Sequence, residues 1–394
     1  MTDATRTYRF RLYPTPSQAA RLDLWLMRCR HLYNDMLTQR IWSWQTRRVS
    51  ITYYDQQNAL PEIRRAFPEY AELPSNVLQN VARRVDIAYQ RFFRHGAGFP
   101  KYQGFRRYNS FCLHSPSGWK LRPGPGRMGR LSILRLGDIP VRVHRPVAGE
   151  LRTCTIVRQA GRWYACITAR HVPIPELPAS PAAVGVDLRV AEHFLATSDG
   201  ELIDNPHPLE QALRDLARIQ RTVSRRQRGS NRREDAVRQL QRAHQRVANL
   251  RREFHHRLSH DLVTRYQVIV VEDISPLFMV ERAQRDPYPR NQARRALDSG
   301  WGQFLGLLEY KCRDLGRMFI RVEPAMTSQT CSRCGAEHDT GPTERIFRCP
   351  QCGWEVHRAI NAARNILARG LELEYHCTNS RLPADGDGGQ WPPG

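Results

Sequence analysis

The chain has 394 residues, 41% hydrophobic and 25% charged, with a formal net charge of +23 at pH 7. That length allows about two to four domains with real apolar cores, and no apolar run approaches the ~20 residues needed to span a bilayer. A basic surplus of this size points to a polyanionic partner, most often nucleic acid. The basic residues are almost all Arg, with Lys only at Lys101, Lys120 and Lys311. The N-terminus opens directly into Tyr8-Arg-Phe-Arg-Leu-Tyr13 with no signal-peptide pattern. The expected compartment is therefore a reducing cytosol. In that compartment paired Cys-x-x-Cys units mean metal or redox chemistry rather than structural disulfides.

Residues 6–13 alternate as a strand does, and Thr15-Pro-Ser-Gln18 reads as a capping box with Pro at the first helical position. Leu22, Leu26, Cys29, Tyr33, Met36 and Leu37 recur at helical spacing. A second basic helix is expected from about Asn76 to Arg94, ended by Gly96, Gly98, Pro100 and Gly104. Aromatic and basic residues then interleave at Tyr102, Phe105, Arg106, Arg107, Tyr108 and Phe111. That pattern suits base stacking with backbone contact, and it equally suits core packing of the aromatics. From Phe111 to His171 short strands split by Gly and Pro predict a small barrel that the first strand can join.

After a Pro-rich linker, Val184-Gly-Val-Asp187-Leu-Arg189 and His193-Phe-Leu-Ala-Thr197 read as strands of a new domain. A helical hairpin follows, broken at Gly229-Ser-Asn231. Between Leu209 and Leu262 it carries fourteen Arg against six acids. Arg225, Arg226, Arg228, Arg232 and Arg233 gather at its tip, which favours phosphate contact over a merely solvated face. Val268-Ile-Val-Val-Glu272-Asp273 reads as a buried strand ending in acids. Acids on separate strands of a rigid sheet are what two-metal phosphodiester hydrolysis requires, so Asp187 and Glu272 are candidate catalytic residues.

Cys331, Cys334, Cys349 and Cys352 form two knuckles with two-residue spacers. Four thiolates with no open position make a structural zinc site. The run Asn361-Ala-Ala-Arg-Asn-Ile-Leu367 reads as a helix packed on the sheet through its small residues.

Together these residues resemble the TnpB family, the compact RNA-guided nucleases of insertion sequences, ancestral to type V CRISPR effectors. The resemblance runs from Tyr8-Arg-Phe-Arg-Leu-Tyr-Pro14 and Arg30-His-Leu-Tyr-Asn34 through Gly98-Phe-Pro-Lys101-Tyr102 and Ser110-Phe111. It continues in Gly185-Val-Asp187, Val271-Glu-Asp273 and the cysteine segment. It implies an α+β multidomain protein: a helical recognition lobe and a small wedge β-barrel, then an RNase H-like RuvC α/β domain with an inserted zinc ribbon. The expected boundaries are a first wedge strand at 1–13, a helical lobe at 14–110 and a wedge barrel at 111–172. A linker at 173–181 leads to a RuvC-like domain at 182–325, with its Arg-rich hairpin at 208–262. A zinc ribbon at 326–353, a last helix at 354–375 and a disordered tail at 376–394 complete the chain. The resemblance also implies a guide RNA and a double-stranded DNA target as partners.

One departure matters. The family's last RuvC motif typically carries Asp-Arg-Asp where this chain has His357-Arg358-Ala359, and Arg189 replaces a glycine two residues after Asp187. Magnesium prefers oxygen ligands in octahedral geometry, whereas imidazole suits transition metals, and an Arg beside Asp187 competes with a cation. Glu355 and Asp273 are the acids in sequence reach that can fill in. Three readings follow. The first is an RNA-guided DNA-binding protein that has lost or strongly weakened cleavage and represses by occupancy. The second is an active RuvC-type endonuclease with a rearranged Mg2+ or Mn2+ site that uses Asp187, Glu272 and His357. The third is an unguided zinc-ribbon nucleic-acid-binding or transposition accessory protein.

Overall fold

Alternation in the first ten ordered residues sets up the N-terminal unit. In β1 (Asp3–Leu12), Tyr8, Phe10 and Leu12 point into the core, while Arg9 and Arg11 stay partly exposed. The computed structural model describes residues 3–105, 107–189, 193–273, 295, 297–338 and 344–379. It divides into two units, 1–174 and 175–394.

In the first unit Thr15 caps α1 (Pro16–Arg47). Its hydroxyl accepts from the Gln18 amide at 3.3 Å, and the Gln18 side chain accepts from the Thr15 amide at 3.1 Å. Leu22, Trp25, Cys29, Leu32, Met36 and Leu37 line its buried face. Three short helices follow, α2 (Tyr53–Asn58), α3 (Leu60–Ala66) and α4 (Pro68–Ala71), the last two opened by Pro. The next helix, α5 (Ser75–His95), buries Val77, Leu78, Val81 and Val85 and stops at Gly96, where φ is 63°.

Six more strands complete the sheet: β2 (Ser110–Leu113), β3 (Trp119–Pro123), β4 (Met128–Ile133), β5 (Gly137–Arg142), β6 (Glu150–Gln159) and β7 (Arg162–Pro173). The order is β2-β6-β7-β1-β5-β4-β3, antiparallel throughout. The first strand thus lies at the centre of the sheet. The expected small barrel takes the form of a curled half-barrel, whose edge strands β2 and β3 do not bond to each other. The helices explain why closure is unnecessary. Trp25 of α1 meets Phe111 of β2 edge-on at 5.9 Å, and helices and sheet share one apolar core. The edges are also poor templates: β2 has four residues and β3 ends in Pro123.

The second unit is built on a mixed sheet in the order β10-β9-β8-β11-β12. Its strands are β8 (Ala183–Leu188), β9 (His193–Thr197), β10 (Leu202–Asp204), β11 (Val268–Glu272) and β12 (Met318–Val322). The strands β8, β11 and β12 are parallel; β9 pairs antiparallel with both β8 and β10. Between β10 and β11 the hairpin of α6 (Pro208–Arg225) and α7 (Asn231–Arg265) extends the chain, with Ser230 capping α7. Leu216, Val223 and Val247 of the hairpin are covered, while Leu250 is 49% exposed.

The end of α7 and α8 (Trp301–Asp314) cover one face of the sheet with Leu258, Leu262, Trp301, Phe304 and Leu308. After the hairpin β13 (Ile346–Arg348) and β14 (Glu355–His357), α9 (Arg358–Asn379) packs on Val270 and Val322 through Ile366. Two glycines permit its close approach. A Cβ at Gly185 would lie 2.0 Å from the Ala363 carbonyl, and one at Gly370 would lie 2.4 Å from Val270. Residues 380–394, most of the expected tail, lie outside the described residues, and α9 continues to Asn379. No helix among the described residues is long and apolar enough to cross a membrane.

Candidate carboxylate site and four-cysteine centre

Parallel pairing brings the two candidate acids together. The register that sets Val186 against Val271 carries Asp187 and Glu272 to adjacent strand ends, both buried. Burial raises Asp187 above the ordinary Asp value, against the pull of Arg189 and Arg358. Burial and the neighbouring Asp187 push Glu272 up to about 7, while the Thr327 hydroxyl, Arg369 and Arg189 oppose the rise. The Thr327 hydroxyl donates to Glu272 Oε1.

Arg189 Nη1 donates to Asp187 Oδ2 at 2.9 Å. A guanidinium therefore already occupies a carboxylate oxygen that a metal would need. The Ala359 amide donates to His357 Nδ1 at 3.3 Å, so the lone pair of that nitrogen is engaged. The ring meets His193 edge-on at 5.9 Å, and His193 Nδ1 lies 2.9 Å from Asp204 Oδ1. Ala359 is fully buried, so its position offers only a packed methyl group. The two acids in sequence reach are engaged elsewhere: Asp273 pairs with Arg321 at 3.1 Å, and Glu355 with Arg348 at 3.3 Å. Among the described residues, Asp187, Glu272 and His357 do not form a three-ligand group.

The four cysteines do converge. All four sulfurs lie within 4.8 Å of one another, with Cys331 3.7 Å from Cys352 and Cys334 3.6 Å from Cys349. A tetrahedron with ~2.3 Å metal–sulfur bonds has edges of about 3.8 Å, so the set can hold an ion such as zinc. Each knuckle turns back through a glycine with positive φ, Gly335 at 76° and Gly353 at 68°. Backbone N–H groups of Cys352 and Gln351 help pull the Cys349 thiol down to about 6, while the neighbouring cysteines push the Cys334 thiol up to about 12.

A feature that the sequence reading missed links the two sites. Arg358, Asn361, Asn365 and Arg369 share one face of α9 at spacings of three and four. Asn361 donates to the Thr330 carbonyl at 2.7 Å and accepts from the Ser332 amide at 2.9 Å. Asn365 donates to the carbonyls of Thr327 and Thr330, Arg358 to the Ser328 hydroxyl, and Arg369 to the carbonyls of Glu323 and Ala325. This stripe clamps the segment that carries both Thr327, bonded to Glu272, and Cys331. The available signal was Asn at i and i+4, flanked by Arg at one helical turn on either side.

The nucleic-acid candidates separate by exposure. Arg225, Arg228 and Arg232 are exposed at the hairpin tip, and Arg233 is half-buried. Arg226 Nη1 donates to the Arg232 carbonyl and ties the turn shut. In the first unit Lys101 and Arg107 are exposed, while Arg106 lies outside the described residues. Tyr102 is exposed and its hydroxyl accepts from Thr38 at 3.2 Å. Phe105 is 61% exposed, with the guanidiniums of Arg30 and Arg158 at 5.9 and 5.8 Å from its ring centre. Tyr108 and Phe111 belong to the core. Core packing thus accounts for Tyr108 and Phe111, while Tyr102 and Phe105 stay on the surface.

Comparison with known proteins gives a consistent relationship. Residues 301–366 match the "Cas12f1-like, TNB domain" model, residues 155–283 the "Probable transposase" model and residues 1–48 a "Helix-turn-helix domain" model. In this structure that last stretch forms β1 and α1. The chain is 31% identical over 379 residues to a Streptomyces pristinaespiralis protein named "Putative RNA-guided DNA endonuclease", covering 94% of this chain and 90% of that one. It is 30% identical to the similarly named InsQ of Escherichia coli K12, covering 93% and 92%. Its fold resembles the protein in a cryo-EM structure of a Cas12f1-sgRNA-target DNA complex. The TM-score is 0.59 at 10% identity, over 92% of this chain and 98% of that one.

Proposed function

Because the chain belongs to the TnpB family, we propose that it is an RNA-guided DNA-binding protein whose cleavage is lost or strongly weakened. It acts by occupying its target, as a transcriptional repressor does. The observation that carries this reading is the Arg189–Asp187 ion pair at 2.9 Å, beside a buried Ala359 and a His357 whose Nδ1 is engaged. Magnesium needs a set of oxygen ligands that it keeps with near-ideal geometry. Here two carboxyls remain, one of them already held by a guanidinium.

In this reading the five-stranded sheet of the second unit is a RuvC-type RNase H-like domain, and the cysteine segment is its zinc ribbon. Zinc is structural, since four thiolates leave no open coordination position. The N-terminal unit supplies the helical recognition lobe and the wedge. Guide RNA pairs with the target strand, and the protein reads a short flanking DNA motif. Lys101, Tyr102, Arg106, Arg107 and the hairpin-tip arginines are backbone contacts, which accounts for the charge of +23. Location with the nucleoid follows from the same partners.

The active-nuclease reading keeps one supporting observation, the side-by-side placement of Asp187 and Glu272. Sequencing the RNA that co-purifies with the protein tests the guided reading. A defined structured RNA with a variable end is expected; heterogeneous cellular fragments would favour an unguided zinc-ribbon accessory protein.

A further inference from the structure

We propose that Arg189 stands in for the missing metal, binding a phosphodiester of the DNA strand that enters the carboxylate site. The inference rests on the DNA-binding reading above and adds the ligand of that site. In metal-dependent phosphodiester chemistry a cation bridges protein carboxylates and phosphate oxygens. A guanidinium can make the same bridge, because it presents five donors in a planar fork that matches phosphate.

The pair is asymmetric in the way this role requires. The Asp187 side chain is 10% exposed and the Arg189 side chain 31%. The contact with the carboxylate is made by Nη1, and the guanidinium is the more open partner of the pair. An arginine serving only to neutralise a buried acid would be expected to use its fork on both carboxylate oxygens.

The surroundings favour an anion. Arg358 opens α9 within electrostatic reach of Asp187, and the first turn of that 22-residue helix holds no acid. A basic residue in a first helical turn opposes the helix dipole; a bound phosphate reverses that penalty. Three guanidiniums, from Arg189, Arg358 and Arg369, act on two carboxyls, from Asp187 and Glu272. A site of the opposite balance would hold magnesium. The carboxylate site has thus changed the sign of the ligand it attracts, from a cation to the strand itself.

The test uses the full-length protein with its co-purified RNA and a guide-matched duplex, in EDTA, with affinity measured across a range of salt. The double variant Arg189→Gln, Asp187→Asn keeps net charge constant and leaves no unpaired buried acid. It is expected to bind roughly tenfold more weakly at physiological salt, with a log–log salt slope shallower by about 0.7–0.9. Arg189→Lys keeps the point charge and should keep the wild-type slope. Wild-type affinity and slope in the double variant would overturn the inference, since a merely structural ion pair predicts that result. Wild-type complex that fails to prefer matched over mismatched duplex would instead sink the guided reading, so the two failures are distinguishable.

Discussion

The four-cysteine centre and the carboxylate site lie in one unit, joined by the stripe on α9, yet they have different chemistry. At the cysteines four sulfurs converge at tetrahedral spacing, with backbone N–H groups favouring thiolate at Cys349. At Asp187 and Glu272 two buried acids converge, and the Arg189 guanidinium pairs with the first. In the proposed reading, the scaffold keeps the elements that position a site after the site's ligands have changed. Gly185 still admits α9, and Asn361 and Asn365 still clamp the cysteine segment. Those residues hold the fold, and binding alone still needs the fold.

The contrast can be broken first at the cysteines, where the largest effect is expected. Cys349→Ser should lose the metal, measured as a fall from about one zinc per chain to none. With structural zinc contributing on the order of 10 kcal/mol, residues 323–357 should become the first site of limited proteolysis. Zinc retained in the variant would show that the cysteines do not form the centre.

A smaller effect sharpens the carboxylate side. Glu272 titrates near 7 in the folded protein against an ordinary 4.5. Between those values the folded state holds a proton that the unfolded state has released. Stability should therefore fall as pH rises from about 4.5 to 7 and level off above. The loss is at most ~3 kcal/mol. Glu272→Gln removes this dependence: its melting temperature should exceed wild type by several degrees at pH 8 and match it near pH 5. An equal difference at both pH values would mean that Glu272 is ionised throughout.

Much of this was legible in the sequence because local chemistry determines it. The Thr15 capping box, the alternation of Tyr8, Phe10 and Leu12, the cysteine spacings and the acid-ended strand at Glu272 are each set within a few residues. What the sequence hid depends on partners far apart in the chain. Thr327 meets Glu272 across 55 positions and Asn365 meets Thr327 across 38. Tyr108 and Phe111 enter the core while Phe105 does not. Arg189 is the intermediate case. Strand periodicity put it on the same face as Asp187, but only the structure selects Asp187 over Glu272 as its partner.

The central claim is that this protein holds its target without cutting it. The direct measurement follows binding and cleavage of one guide-matched duplex in magnesium. It compares the native protein with the triple variant Arg189→Gly, His357→Asp, Ala359→Asp, each carrying the co-purified RNA. The account predicts that the native protein binds with no cut product and that the variant both binds and cuts. Efficient double-strand cleavage by the native protein would contradict it.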